Sequence, residues 1–169
     1  MITAKHQDQR VAVLIDVQNL YHSAKNLYKA RVNFRAIVKT AVEDRKLIRA
    51  FAYVIKTKTG EEKPFFEALT NLGIETRVKD LQEFYGGMKK GDWDVGITVD
   101  AVRIAPSVDT IVLASGDGDF IQLVEYLKNQ GKRVEAISFA RSSSAKLKEV
   151  VDEFVDLEKN LKKYLIKSY

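Results

Sequence analysis

The sequence lacks several features that would narrow its function at once. None of its 169 residues is cysteine, which excludes disulfide bonds, thiol nucleophiles and thiolate metal sites. No apolar run approaches the ~20 residues of a membrane span. The polar start, MITAKHQDQR, has no apolar signal-peptide core, so we expect a cytoplasmic protein. Internal repeats are absent, and so are phosphate-loop and dinucleotide-binding glycine patterns.

The composition is that of one globular α/β domain. Hydrophobic residues make up 46% of the chain and charged residues 30%. The net charge of +5 permits a polyanionic partner but does not identify one. The last stretch, residues 159–169, has four lysines and no acid. The helical spacing of Leu161 and Leu165 predicts a terminal helix there, packed by one face on the domain formed by residues 10–158.

Strand-like and helix-like stretches alternate along the chain. Apolar, β-branched runs predict five strands, at residues 10–17, 47–55, 74–81, 108–115 and 133–140. Amphipathic stretches predict helices at residues 19–30, 33–46, 61–73, 92–105 and 119–131. This alternation favours a central parallel sheet covered by helices on both faces. Ligands of such folds bind at the carboxyl ends of the strands, where the strand order reverses.

Aspartates occupy the predicted carboxyl ends of two strands and the start of a helix. Asp16 ends the first strand, Asp117 and Asp119 follow the strand at 108–115 in SGDGD, and Asp94 begins the helix "DVGITVDA". Each alone could be a helix N-cap that contributes ~1 kcal/mol. If they converge, carboxylates ~4 Å apart repel by about 4 kcal/mol at an effective dielectric near 20. They must then bind protons or a cation, and all-oxygen ligands favour Mg²⁺ or Mn²⁺.

Residues around these aspartates complete the predicted site. We expect Asn19 to face the same edge, and Gly116 and Gly118 to let the loop turn tightly and approach a ligand. Of the two acids in SGDGD, Asp117 is the expected direct ligand, because it lies nearer the strand. Asp119 would act through water or cap the next helix. The sequence leaves three roles open for Asp100: a metal ligand, a hydrogen-bond acceptor behind the metal ligands, or a structural partner. His6 and His22 are not expected to be ligands.

A cation held by carboxylates suits phosphate esters, because it neutralises phosphoryl oxygens and lowers the pKa of bound water. The sequence offers basic side chains in the loops near the same edge as candidate phosphate contacts. They are Lys56, Lys58, Lys63, Lys89, Lys90 and Arg141. Lysines in loops are also the ordinary solvated surface of a protein, so each of them is a weak indication alone.

Four motifs, in this order, resemble one known family. They are VLIDVQNL, KKGDWDVGITVDA, IVLASGDGDFIQLVEYLKNQGKRVEAISF and SSSAKLKEVVDEFVDLE. Together they resemble the NYN domain, in its LabA-like branch of the PIN-like nuclease superfamily, over residues 10–158. The resemblance implies a Rossmann-like three-layer sandwich with a parallel sheet of about five strands in the order 3-2-1-4-5. It also implies a metal-dependent endoribonuclease site.

The resemblance also implies roles for individual residues. The family's acids fall on the four aspartates named above, with Asn19 beside the first; Ser115 and Lys90 also match family positions. The stretch KGDWD is one residue longer than the family's usual form, so either Asp92 or Asp94 could fill the third acidic position. We favour Asp94, because the apolar helix follows it directly. Arg141 and Ser142 are candidate phosphate contacts, although Ser142 or Ser143 could simply cap the next helix.

These observations lead to one principal hypothesis and one alternative. The principal hypothesis is a Mg²⁺- or Mn²⁺-dependent ribonuclease that cuts RNA phosphodiester bonds. The alternative is a regulatory protein that binds RNA or a nucleotide in the same pocket without turnover. A haloacid-dehalogenase phosphatase fits poorly, since it needs an aspartate where this chain has Gln18. A toprim domain would need a glutamate in place of Asp16. The oligomeric state stays open, with a homodimer one option.

Overall fold

The structure, a computed structural model, describes residues 5–56, 63–80, 82–83, 89–90 and 92–167; of residues 82–83, 89–90 and 167 it describes only the backbone. Short 3₁₀ turns lie at residues 105–107, 118–120, 140–142 and 157–160. In chain order the elements are β1 (Arg10–Asp16), α1 (Val17–Tyr28), β2 (Ala30–Val32), α2 (Phe34–Val42), β3 (Lys46–Lys56), α3 (Lys63–Asn71), β4 (Glu75–Asp80), β5 (Gln82–Glu83), β6 (Lys89–Lys90), α4 (Asp94–Ile104), β7 (Thr110–Ala114), α5 (Ile121–Asn129), β8 (Arg133–Ser138), α6 (Ala145–Val150), β9 (Glu153–Asp156), α7 (Leu161–Tyr164) and β10 (Leu165–Lys167).

Six strands form the central sheet in the order β4-β3-β1-β7-β8-β9, and every neighbouring pair is parallel. The predicted three-layer α/β fold is confirmed, and the first five strands have the expected order. The short strand β9 extends the sheet at one edge and was not predicted. Its four half-buried residues, EFVD, are too few to show an apolar alternation.

Both faces of the sheet are covered, which explains the apolar character of its central strand. In β1, the side chains of Val11, Val13 and Ile15 pack in the core beneath α1 and α2. The alternate residues Ala12 and Leu14 pack in the second core, beneath α4 and α5. A strand buried on both faces cannot show the polar alternation of an exposed sheet, so β1 reads as one continuous hydrophobic run.

The second helix ends earlier than predicted. We expected a helix over residues 33–46, but α2 ends at Val42, and Glu43 adopts a φ of 55°, in the left-handed region. Arg45 then turns into the protein, where its guanidinium donates hydrogen bonds to the Glu135 carboxylate at 2.8 and 2.9 Å. The chain enters β3 directly afterwards. A long-range ion pair therefore overrides the local helical pattern.

The basic C-terminal segment also differs from its prediction. The 3₁₀ turn at 157–160 leads into a single α-helical turn, α7, and β10 then pairs antiparallel with β2. The expected continuous helix over 159–169 is therefore wrong for residues 165–167, and residues 168–169 lie outside the described part. Tyr164 anchors the segment: its hydroxyl lies 2.9 Å from Thr40 Oγ1, and its carbonyl accepts from the Asn33 N–H at 2.8 Å. The edge of β2 offers backbone partners that favour a strand over further helix.

The sheet brings the predicted site residues to one edge. β1 and β7 are central neighbours in register, with Ile15 paired to Ala114. Asp16, the last residue of β1, and Ser115, which follows β7, therefore leave the sheet side by side. Within the ranges given above, no helix is both long and apolar enough to cross a membrane.

Candidate metal site at the edge of the sheet

Three carboxylates converge at the carboxyl ends of the central strands. One oxygen each from Asp16, Asp94 and Asp117 lies within 4.8 Å of the other two. Asp16 ends β1, Asp117 follows β7, and Asp94 is the first residue of α4. The parallel register of β1 and β7 dictates the approach of the first two. The third comes from a helix that packs on the same edge.

Asp16 is both a helix cap and a member of this cluster. The residue is only 7% exposed. One carboxylate oxygen accepts the Asn19 backbone N–H at 3.3 Å and so caps α1. The other oxygen accepts the Ser115 hydroxyl at 3.0 Å. The capping role and the cluster role are therefore compatible in one residue.

Asn19 and Ser115 fasten the SGDGD loop to the start of α1. The Asn19 side-chain oxygen accepts the Gly116 N–H at 3.0 Å. The Ser115 hydroxyl oxygen accepts a hydrogen bond from the Asp117 N–H at 3.2 Å, and the same hydroxyl donates a hydrogen bond to Asp16. These bonds fix the relative positions of Asp16 and Asp117, so the cluster is organised before any ligand arrives.

Asp117 and Asp119 differ in position. The Asp117 carboxylate accepts the Asp119 N–H at 2.9 Å and caps the 3₁₀ turn Gly118–Phe120. Asp119 is exposed and lies outside the group of three, although its side chain contacts that of Asp94. Asp119 does not take the helix-capping role that the sequence left open for it, because α5 begins after Phe120 without a side-chain cap. Asp119 borders the cluster on its solvent side.

The glycines of the loop serve packing within the protein. A Cβ on Gly116 would lie 2.9 Å from the Ser143 Cα, and one on Gly118 would lie 3.1 Å from the Ser144 Cβ. The Ser144 N–H donates to the Gly116 carbonyl at 2.9 Å. We expected these glycines to make room for a ligand. In the structure the segment 143–144 occupies that space instead, because it must approach the loop to enter α6.

Burial and like charges raise the proton affinity of two of the three acids. Burial raises the pKa of Asp16 to about 6, despite the hydrogen bonds from Ser115 and Asn19 that act to lower it. Burial, the charge of Asp117 and contact with Asp119 raise the pKa of Asp94 to about 7. A cation among these oxygens would offset both effects. An all-carboxylate donor set suits a hard divalent ion, so the residues present fit Mg²⁺ or Mn²⁺.

The geometry distinguishes the two aspartates of KGDWD. Asp94 belongs to the cluster, whereas Asp92 is exposed and accepts the Asp94 backbone N–H at 3.2 Å. Trp93 between them packs inward: its indole N–H donates to the Val54 carbonyl at 2.9 Å, and its ring contacts that of Tyr53. The tryptophan anchors the start of α4 and so positions Asp94.

Asp100 is a structural partner and is not among the three clustered acids. Its carboxylate accepts the Tyr53 hydroxyl and the Arg77 Nε–H, each at 2.8 Å. Burial, together with the bond to Asp100, raises the pKa of the Tyr53 phenol above its ordinary value. The interaction ties α4 to β3 and β4. Of the three roles that the sequence left open for Asp100, these contacts match the structural one.

Two of the predicted phosphate contacts bond to protein groups. The Arg141 guanidinium pairs with Glu158 at 3.2 Å and donates to the Tyr28 hydroxyl at 3.2 Å. The Ser142 hydroxyl donates to the Ser23 hydroxyl at 2.9 Å. The cap of α6 is Ser144, neither Ser142 nor Ser143, because the helix begins at residue 145.

The predicted lysine contacts are only partly described. Lys58 and the side chains of Lys89 and Lys90 lie outside the described part of the chain, so the expected role of Lys90 stays a prediction. Lys56 and Lys63 are exposed, at the end of β3 and the start of α3.

A cavity beside the cluster was missed by the sequence analysis. Its volume is about 570 Å³, and its lining includes Val17, the residue after Asp16. No short motif indicates this cavity, because its lining comes from several separate elements, among them α3. The spacing predicts that Phe65, Phe66, Leu69 and Leu72 all face inward, but only Leu69 is fully buried, and Leu72 is 41% exposed. Both phenylalanines are half-buried and line the cavity.

Comparisons with known proteins agree with the overall fold. The chain is 26% identical to low amplitude and bright protein LabA of Synechococcus elongatus, over 88% of this chain and 83% of LabA. It is 24% identical to an uncharacterised protein of Methanocaldococcus jannaschii, over 89% of this chain and 56% of that protein. The crystal structure of a Vibrio parahaemolyticus protein of unknown function superimposes with a TM-score of 0.86 at 33% identity, and the match covers 97% of this chain and all of that one.

The match to a family covers nearly the whole fold. The profile of the NYN domain matches residues 10–158, from the first residue of β1 to just beyond β9. This range contains the central sheet and all three clustered aspartates. The chain therefore belongs to the NYN domain family, within the PIN-like nuclease superfamily, and is similar to LabA.

Proposed function

We propose that the protein is a divalent-metal-dependent ribonuclease. The observation that carries the proposal is the convergence of Asp16, Asp94 and Asp117 at the carboxyl ends of the central strands. Three like charges within 4.8 Å, one of them buried, are costly unless they serve to bind a cation. Membership of the PIN-like nuclease superfamily supports this reading.

The same three residues would hold Mg²⁺ or Mn²⁺. When bound, such an ion offsets the negative charge of a phosphodiester and makes water a better nucleophile. Asp16 and Asp117 are held in place by Ser115, Asn19 and the Asp119 N–H. Their carboxylates therefore need little reorganisation as charge develops in the reaction. Asp119 is exposed beside Asp94, where its carboxylate can orient water and accept a proton.

RNA is the proposed substrate because of family and charge together. A net charge of +5 and a pI near 9.3 favour a polyanion over a small phosphate ester, although charge alone does not select RNA. The cytoplasmic location expected from the sequence would give access to RNA, and it stays a prediction.

The test is cleavage by the purified protein. Single-stranded and structured RNA are incubated with Mn²⁺ or Mg²⁺ and, in parallel, with EDTA. We expect cleavage that needs the metal and that falls by roughly 100-fold or more in Asp117→Asn, because the variant loses a charged ligand oxygen. Asp44→Asn is the matched control: Asp44 is exposed and precedes β3 at the opposite, amino-terminal end of the strands. This control should cleave like the wild type.

The outcome also decides between the two hypotheses. Metal-independent cleavage, or equal cleavage by wild type and Asp117→Asn, contradicts the proposed function. RNA binding by calorimetry, with no cleavage under any of these metals, favours the regulatory RNA-binding protein.

A further inference from the structure

The cavity beside the carboxylate cluster opens at the same edge of the sheet. Val17 and Gln18, which directly follow Asp16, line one side of it, and Val54 and Ile55 at the carboxyl end of β3 line another. α1 therefore separates two neighbouring features: Asn19 bonds to the SGDGD loop, whereas Gln18 contributes to the cavity. Val17 directly follows Asp16 in the chain, so one wall of the cavity begins a single residue from the carboxylate cluster.

Four phenylalanine and tyrosine rings are among the twelve residues that line the cavity. Tyr21 is 45% exposed, and Phe65 and Phe66 are half-buried, so all three present ring surface. The rings are already ordered by one another. The centroids of Phe34 and Phe65 are 5.6 Å apart, and those of Tyr21 and His22 are 5.3 Å apart in an edge-to-face arrangement. Exposed rings of this kind are platforms on which nucleobases stack.

Polar groups in the cavity suit the remaining parts of a nucleotide. Gln18 and His22 offer donors and acceptors to a base edge. Arg31 is exposed at the cavity, where its cation can contact a phosphate. The volume of about 570 Å³ lies within the ~300–1,000 Å³ range of small-molecule sites. A purely apolar ligand would leave these polar groups unused.

We propose that this cavity binds an unpaired nucleobase of the RNA, next to the phosphodiester held at the carboxylate cluster. The inference rests on the proposed function and gives it a substrate class: single-stranded RNA, or loops and ends with splayed bases. A base within a duplex is stacked and paired and cannot enter the cavity.

The test measures binding without turnover. Fluorescence anisotropy in EDTA follows a short fluorescein-labelled single-stranded RNA and the same sequence annealed as a blunt duplex. We expect the wild type to prefer the single strand. Tyr21→Ala should weaken single-strand binding about tenfold, since one stacking platform is lost, and Tyr21→Phe should bind within about twofold of the wild type. Tyr126→Ala is the matched control, because Tyr126 is 46% exposed on α5, on the other side of the sheet.

Crosslinking provides a readout that needs no variant. Wild-type protein irradiated with RNA that carries 4-thiouridine should yield adducts on peptides containing Tyr21, Phe65 or Phe66. Adducts confined to other peptides overturn the inference. So do equal affinities for single strand and duplex, an unchanged affinity in Tyr21→Ala, and the absence of single-strand binding by the wild type.

This design separates the inference from the proposed function. Binding in EDTA does not depend on cleavage, so a protein that cuts no RNA can still show Tyr21-dependent binding. Conversely, suppose that the wild type cleaves RNA through Asp117 and that Tyr21→Ala binds single-stranded RNA as tightly as the wild type. The proposed function then stands, and the base-binding role of the cavity is contradicted. Preferential binding of an apolar peptide at the same rings also counts against a nucleobase.

Discussion

Two buried carboxylates in this protein have opposite surroundings. Burial acts to raise the pKa of Glu135, but hydrogen bonds from Arg45 and Arg133 outweigh it, and the pKa falls below its ordinary value. Asp16 is similarly buried, but the charges that act most strongly on it are other aspartates, and its pKa rises to about 6. The protein thus supplies its own cations to Glu135 and supplies only neutral donors to Asp16. The difference indicates that Asp16 and its neighbours are arranged for a cation from outside.

Disrupting the ion pair between Arg45 and Glu135 should have the largest effect on stability. Arg45 is 1% exposed and Glu135 2% at their side chains, and the pair is bidentate at 2.8 and 2.9 Å. Arg45→Met leaves a buried carboxylate with Arg133 as its main partner. We expect the free energy of unfolding to fall by about 3–5 kcal/mol, measured in urea. A loss below about 1 kcal/mol would show that Arg45 does not stabilise the buried Glu135 carboxylate as the comparison requires.

The stability of the metal-free protein should depend on pH because Asp16 and Asp94 lack the internal cations that Glu135 has. The folded-state pKa values of Asp16 and Asp94, about 6 and 7, lie above the ordinary value of 3.8, so the folded protein binds protons more tightly than the unfolded chain. Their contribution to stability is fully present below about pH 4 and is lost as the pH rises through 6 and 7. In EDTA, the free energy of unfolding should therefore fall from pH 5 to pH 8, with Asp16 alone contributing on the order of 1–1.5 kcal/mol over this range.

Divalent metal provides the control for this pH series. With saturating Mn²⁺ the slope between pH 5 and pH 8 should shrink or reverse, because the ion binds the ionised acids. A metal-free protein whose stability increases over this range would contradict the account of the cluster.

Removing one charge from the carboxylate cluster should raise the free energy of unfolding, by less than the loss expected for Arg45→Met. Asp16→Asn keeps a side-chain oxygen that can cap α1 and a group that can bond to Ser115. In EDTA at pH 8 we expect the variant to gain about 1–2 kcal/mol in the free energy of unfolding, because a buried charge is removed. Thermal denaturation with and without Mn²⁺ supplies the second readout: the wild type should gain in Tm and the variant should not. A destabilised variant that still responds to Mn²⁺ would contradict the comparison.

Much of the fold follows from local sequence. β1 and β7 are continuous apolar runs, and the aspartates that follow them lie at one edge because the two strands are parallel neighbours. The elements that the sequence did not predict depend on distant partners. β10 forms because the edge of β2 accepts it, and α2 ends early where Arg45 turns toward Glu135, 90 residues away along the chain.

The candidate site likewise has one part that the local sequence predicts and another that depends on distant residues. Asp16, Asp117 and Asn19 could be predicted because each lies in or beside a motif that ends a strand. The cavity could not, because its lining comes from α1, β2, β3, α2, α3 and β10, and no short motif joins them. The packing role of Gly116 and Gly118 depends on Ser143 and Ser144, which reach the loop only in the folded chain.

The most direct test of the central claim is the location of a bound ion. A crystal of the protein soaked in Mn²⁺, with data collected near the manganese absorption edge, gives an anomalous map independent of any assumed ligand. The account predicts a peak among the carboxylates of Asp16, Asp94 and Asp117, and its loss in Asp117→Asn crystals. A well-ordered cluster with no peak, or manganese bound only elsewhere on the protein, would contradict it.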